Sequence, residues 1–159
     1  MGYEKSYTLC RLIIREIKKI WLSYKFLDHA TDAIIEIHAK NLKEAFSVAA
    51  DAVINLTLDQ DKVKANESKE FLAQGKDLYY LLYSWLEEIP FILITEGFAI
   101  KRIEFNIEKN GAYKINAKAF GETLDLKKHN FKVEIKAPTF YDMIIKNEDK
   151  VYMKFLLDL

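Results

Sequence analysis

The chain has 159 residues, half of them hydrophobic and 13% aromatic, enough apolar material for one buried core and too much for a disordered chain. Lys+Arg and Asp+Glu both total 24, so the chain lacks the basic excess on which tight independent nucleic-acid binding rests, and only a local patch could supply it. The single cysteine, Cys10, excludes an internal disulfide framework and a Cys-based zinc site, and no apolar run approaches the roughly 20 residues of a membrane span; the chain reads as a soluble cytoplasmic protein.

Residues 8–22 carry Leu9, Ile13, Ile17, Ile20 and Trp21 at helical spacing, with Arg11, Arg15, Lys18 and Lys19 between them, which predicts an amphipathic helix. Residues 1–25 have a local net charge of +4. Arg11, Arg15 and Glu16 break any apolar stretch and argue against a secretory signal. What remains is a helix on a membrane or RNA, or an extra helix packed on the domain. A start codon further downstream would leave the segment untranslated.

Residues 31–39 alternate, with Ala33, Ile35, Ile37 and Ala39 on one face and Ile34, Glu36 and His38 on the other, the period of a half-buried strand. Asn41 and Glu44 are spaced as a capping box opening a helix to about Leu56. Asp59–Asn66 reads as a polar connection and Ser68–Ala73 as a short edge strand. Gly75-Lys76-Asp77 caps a second helix from Leu78 to about Ile94, which Pro90 should kink and Gly97 should close. Phe98–Glu108 and Ala112–Phe120 flank Asn110-Gly111, a strong hairpin signal. Gly121–Asn130 reads as a polar loop and Phe131–Ala137 as a further strand that Pro138 interrupts. Tyr141–Lys146 and Val151–Leu157 form a last hairpin. The sum is an α+β domain, two main helices on a mainly antiparallel sheet plus the N-terminal helix.

Two acids, Asp28 and Asp32, stand four apart before the first strand, with His29 between them, and Asp158 precedes the last residue, Leu159. If the first and last strands pair, these acids meet. Carboxylates and carbonyls are the ligands that hard cations prefer, although an acid before a strand is as often a turn former or cap. His29 and His129 have no second histidine or cysteine at zinc spacing, so each reads best as a hydrogen-bonded structural histidine. Glu87-Glu88 follows an apolar helical face and reads as a solvated edge. Lys136 is either an ordinary exposed lysine or an anion contact. There is no phosphate-cradling glycine loop and no Ser-His-Asp, Cys-His or redox arrangement. A binding or helper protein fits better than an enzyme.

The segment Tyr24-Lys25-Phe26-Leu27-Asp28-His29-Ala30-Thr31-Asp32 resembles the opening of the archease family, whose middle pair is usually Thr-Ala. The resemblance continues through Leu42-Lys43-Glu44-Ala45-Phe46 and Asp77–Glu88, then Thr95-Glu96-Gly97, Ala119-Phe120-Gly121-Glu122, Asp125 and His129. It ends in Lys136-Ala137-Pro138-Thr139-Phe140-Tyr141-Asp142-Met143 and Leu157-Asp158-Leu159. It covers residues 24–159 as one archease-like domain; residues 1–23 fall outside it as an N-terminal extension, and Pro90 is not part of the family's pattern.

The resemblance implies a non-catalytic activator of the RtcB-type RNA ligase, which joins RNA ends in tRNA splicing through a guanylylated histidine and a divalent metal. The activator speeds guanylylation, supports multiple turnover and can broaden nucleotide use; tRNA halves are indirect partners. The family's metal site maps onto Asp32, Asp158 and Leu159, with Asp28, His29 and Lys136 as further functional positions. Ca²⁺ is the implied ion, with Mg²⁺ or Mn²⁺ as cellular alternatives. The competing expectation is an RNA-binding or chaperone module that assists tRNA processing or modification without the ligase. A metal-dependent hydrolase using Asp28, Asp32 and His29 lacks a general base with an orienting partner.

Overall fold

The structure, a computed structural model, describes residues 24–27 and 31–159. The helix expected over residues 8–22, Cys10, Asp28 and His29 lie outside the described residues. Among the described residues seven strands form two antiparallel sheets. The first has the order β1-β2-β7-β6, with β1 Tyr24–Leu27, β2 Asp32–Ala39, β6 Ala137–Asn147 and β7 Val151–Asp158. The second has the order β3-β5-β4, with β3 Glu67–Gly75, β4 Phe98–Asn110 and β5 Ala112–Thr123. Two helices, α1 Leu42–Thr57 and α2 Leu78–Pro90, complete the α+β architecture.

The alternation in β2 does what its period predicts: Ala33, Ile35, Ile37 and Ala39 are buried, and they oppose Leu157, Phe155, Met153 and Val151 of β7, also buried. Helix α1 opens at Asn41, whose side chain accepts from the Glu44 N–H at 2.9 Å. Glu44 reaches back one residue further than a capping box requires and accepts from the Lys40 N–H. Its inner face buries Ala45, Phe46, Ala49, Val53 and Leu56. Trp85 of α2 fills the centre, its ring 5.5 Å from Phe71, 4.9 Å from Phe105 and 6.4 Å from Phe46, and its Nε1–H donates to the Phe46 carbonyl at 2.9 Å.

Helix α2 runs between the rims of the two sheets. The Ser84 hydroxyl accepts the Gln74 N–H of β3 at 3.2 Å, and the Tyr79 hydroxyl accepts the Ile145 N–H of β6 at 3.4 Å. Each sheet thus has an edge strand whose outward N–H is met by this helix, which limits unwanted strand pairing. Pro90 lies inside the helical run, as expected, but the run continues past it as a π-helical turn over Phe91–Thr95. Past the proline the turn widens: Glu96 N–H reaches back five residues to the Phe91 carbonyl at 3.0 Å, a form often found where a helix is interrupted. Gly97 then takes the left-handed conformation (φ 60) expected of it.

Several boundaries differ from expectation. Strand β3 extends to Gly75, and β5 runs on to Thr123 through Gly121 and Glu122. Residues 131–136 form no ladder: Lys132 N–H goes to Thr57 and Lys136 N–H to Asp158. Of these residues only Ile135 is buried, while Glu134 and Lys136 are exposed. Pro138 does not interrupt a strand but sits near the start of β6, an edge strand with one partner, where a missing donor is tolerated.

Candidate functional site

The first and last strands of the main ladder meet as the acid spacing suggested. Asp32 and Asp158 are direct cross-strand partners at the end of the β2–β7 ladder. Cross-strand partners share a face with Cβ atoms about 5 Å apart, so both carboxylates belong to one tip. Asp32 is half-buried and Asp158 exposed. Leu159 is held beside them: its N–H donates to the Thr31 carbonyl at 3.2 Å, and its side chain packs against the core.

Lys136 arrives from the other side. Its N–H donates to the Asp158 carbonyl at 2.8 Å, and Ala137 is the β6 partner of Asp158. The structure therefore brings Asp32, Asp158, Leu159 and Lys136 together at one sheet end, with Lys136 exposed. Like charges at directly opposed positions repel, and a hard cation between them would relieve that cost. Two carboxylates plus a main-chain oxygen of Leu159 would offer an all-oxygen donor set, the chemistry that suits Ca²⁺ or Mg²⁺. Among the described residues no three His, Cys, Asp or Glu side chains gather as a metal-holding group.

The loop that delivers Lys136 is pinned by His129. This side chain is fully buried, with its Nδ1 accepting the Asp125 N–H at 3.0 Å and its Nε2 lying 2.9 Å from Glu122 Oε1. Because Nδ1 is an acceptor, the neutral ring carries its proton on Nε2 and donates it to Glu122. The main chain adds two more ties: His129 N–H to the Asp125 carbonyl and Asp59 N–H to the His129 carbonyl, both 2.9 Å. Glu122 also takes the Lys128 ammonium at 2.8 Å and the Lys64 N–H at 3.0 Å. Lys128, His129 and the Lys64 amide, in that order, hold its carboxyl down to about 2. His129 is thus the structural histidine expected. What sequence reasoning missed was its partners; the signal was Asp125 four residues earlier, whose carboxylate caps the turn by accepting the Lys127 and Lys128 N–H groups.

Glu87 is exposed and Glu88 half-buried, and burial followed by the charges of Glu87 and Glu96 raises the Glu88 carboxyl above its usual range. No helix among the described residues is long and apolar enough to cross a membrane.

Fold and site together define an α+β protein of two antiparallel sheets with an acidic tip where its first and last long strands meet. Comparison with known proteins places it more narrowly. Residues 24–159 match the model of the archease protein family (MTH1598/TM1083), and the chain belongs to that family. It is 37% identical to the protein archease of Pyrobaculum islandicum over 87% of this chain and 96% of the relative. It is 40% identical to that of Pyrococcus abyssi over 80% and 89% respectively. The solution structure of Methanobacterium thermoautotrophicum protein 1598 superposes with a TM-score of 0.69 at 28% identity, covering 86% of this chain and 99% of that one.

Proposed function

We propose that this protein activates an RtcB-type RNA ligase in tRNA splicing and is not itself the catalyst. The observation that carries the proposal is the opposition of Asp32 and Asp158 at an exposed strand end in a chain of the archease family. In this reading Asp32, Asp158 and a main-chain oxygen of Leu159 hold Ca²⁺, or Mg²⁺ or Mn²⁺ in the cell, and the remaining coordination positions stay open to water or to a group of the partner. Asp28 and His29, just ahead of β2, and Lys136, beside Asp158, complete the working surface. The tip meets the mouth of the ligase active site and reorders side chains or metal there, so that guanylylation and repeated turnover proceed. It can do so only by binding one ligase state more tightly than another.

Multiple-turnover ligation by the ligase of the same source tests the proposal, run with no addition, with this protein and with Asp158→Ala. Stimulation by the wild type and none by the folded variant is the expected result. Equal stimulation by both would move the working surface away from the tip. No stimulation, together with salt-dependent RNA binding by this protein alone, would replace the proposal with an RNA-binding module.

A further inference from the structure

A second feature lies on the strand that borders the tip. Between the pairs Thr139–Leu156 and Ile144–Lys154, the four β6 residues Phe140 to Met143 face the single β7 residue Phe155. So large a bulge lifts its residues out of the ladder and re-aims their side chains. Its conformation is fixed from several sides. Asp142 adopts a left-handed backbone (φ 56), uncommon for a residue with a side chain, and pairs with Lys154. Met143 is buried as an anchor, and the Thr139 hydroxyl accepts the Tyr141 N–H at 3.1 Å. The Phe140 ring stacks on Tyr83 at 4.4 Å and tilts against Tyr80 at 5.0 Å.

This fixed bulge presents aromatic surface to solvent: Tyr141 is 75% exposed, and Phe140 and Tyr80 44% each. Rings held this way at an edge cost energy in water and are enriched where proteins meet. Their charge setting does not suit nucleic acid. Lys154 is neutralised by Asp142, and among the described residues Lys76, over the Tyr80 ring at 4.4 Å, is the one cation lying on these rings. A base-stacking platform needs a basic track for the phosphates. Nor does a convex knob enclose a small ligand. The bulge begins three residues after Ala137, the partner of Asp158, so Tyr141 lies within about 13 Å of the tip along the strand.

We propose that Tyr141, on the bulge that Phe140 pins to Tyr80 and Tyr83, is an anchor that enters an apolar hollow on the same protein partner the acidic tip approaches. The inference rests on the activator reading and extends it: the tip acts on the partner's chemistry, and the aromatic bulge supplies affinity and register. The backbone that carries Tyr141 is pre-organised by the Tyr141 N–H bond to Thr139 and by the Phe140 contacts, so little main-chain freedom is lost on docking.

The test titrates the full chain against the ligase, reading direct binding by biolayer interferometry and stimulated ligation in parallel. Tyr141→Ala should raise the half-maximal concentration about tenfold or more, as for an interface hot spot, while the stimulated rate at saturation stays at the wild-type level. Tyr141→Phe should stay within about twofold, because the ring carries the contact. Asp158→Ala should do the reverse, lowering the rate at saturation. Unchanged affinity in Tyr141→Ala beside normal wild-type stimulation would overturn the anchor and leave the activator reading standing. Loss of binding to a 5′-hydroxyl RNA oligomer without ligase would overturn it in favour of nucleic acid, and loss of a self-associated state on sedimentation in favour of a second copy. A wild type that neither binds nor stimulates the ligase would remove both proposals together.

Discussion

Asp32 of β2 and Asp158 of β7 stand directly opposite one another at the end of an eight-pair antiparallel register. Every other pair from Ala33–Leu157 to Ala39–Val151 buries both its members, so the core sets the register and the register sets the carboxylates. A one-residue slip would send every side chain to the wrong face.

Cation binding at this pair should be visible as stability. Ca²⁺ at a hundredfold excess over its dissociation constant adds about 2.7 kcal/mol, which for a chain of this size raises Tm by about 5–10 °C. Differential scanning fluorimetry with Ca²⁺ and then with a chelator should show the rise and its reversal. Asp32→Asn and Asp158→Asn should abolish the Ca²⁺ response while leaving the circular dichroism spectrum unchanged.

Glu122 makes stability pH-dependent in acid. Its carboxyl is held at about 2, below the ordinary 4.5, chiefly by Lys128 and then by His129 and the Lys64 amide. A carboxylate depressed by folding stabilises the protein fully above its unfolded value and loses that contribution as pH falls through its folded value. Urea denaturation at a series of pH values should therefore show stability declining between about pH 4.5 and 2, and Glu122→Gln should flatten that decline.

His129→Ala removes a fully buried ring, leaves the Asp125 N–H without its side-chain acceptor and takes one of Glu122's three partners. The expected cost is about 2–4 kcal/mol, read as a lower urea midpoint at an unchanged slope. Because the loop it pins carries Lys136, amide exchange should rise across residues 124–136 before it rises in β2 or β7.

Gly121→Ala tests how β5 passes the start of β4. An added Cβ there would stand 1.8 Å from the Ala99 carbonyl oxygen, a clash with backbone and not with a movable side chain. The variant should lose stability at or beyond the upper end of the about 1–3 kcal/mol usual for overpacking, with its melting temperature as the readout.

Much of this arrangement can be read from residues alone, and the misreadings have physical causes. Alternation identified β2, a half-buried ladder, and the turn at 147–150 identified β7; the same alternating sequence misled over residues 131–136, which pair with no strand. Pro138 reads as a breaker to anyone counting donors, yet an edge strand spares one. Beyond Pro90, what the residues did not show is that the run continues as a π-helical turn over Phe91–Thr95. The acidic tip was legible because Asp32 and Asp158 border the two most regular strands. The aromatic bulge was not, since Phe140-Tyr141 in a run of β-formers looks like ordinary strand, and only the register against Phe155 reveals the four-to-one mismatch.

The central claim is that opposed carboxylates on this protein advance a partner's catalytic cycle. The most direct measurement is the rate of covalent guanylylation of the ligase by GTP in a single turnover, with wild type, Asp32→Ala or Asp158→Ala at saturating concentration. Acceleration by the wild type and a rate at the unassisted level with either folded variant is the expected result. Full acceleration by both variants would contradict it, and would mean that the tip is no more than the end of a well-registered ladder.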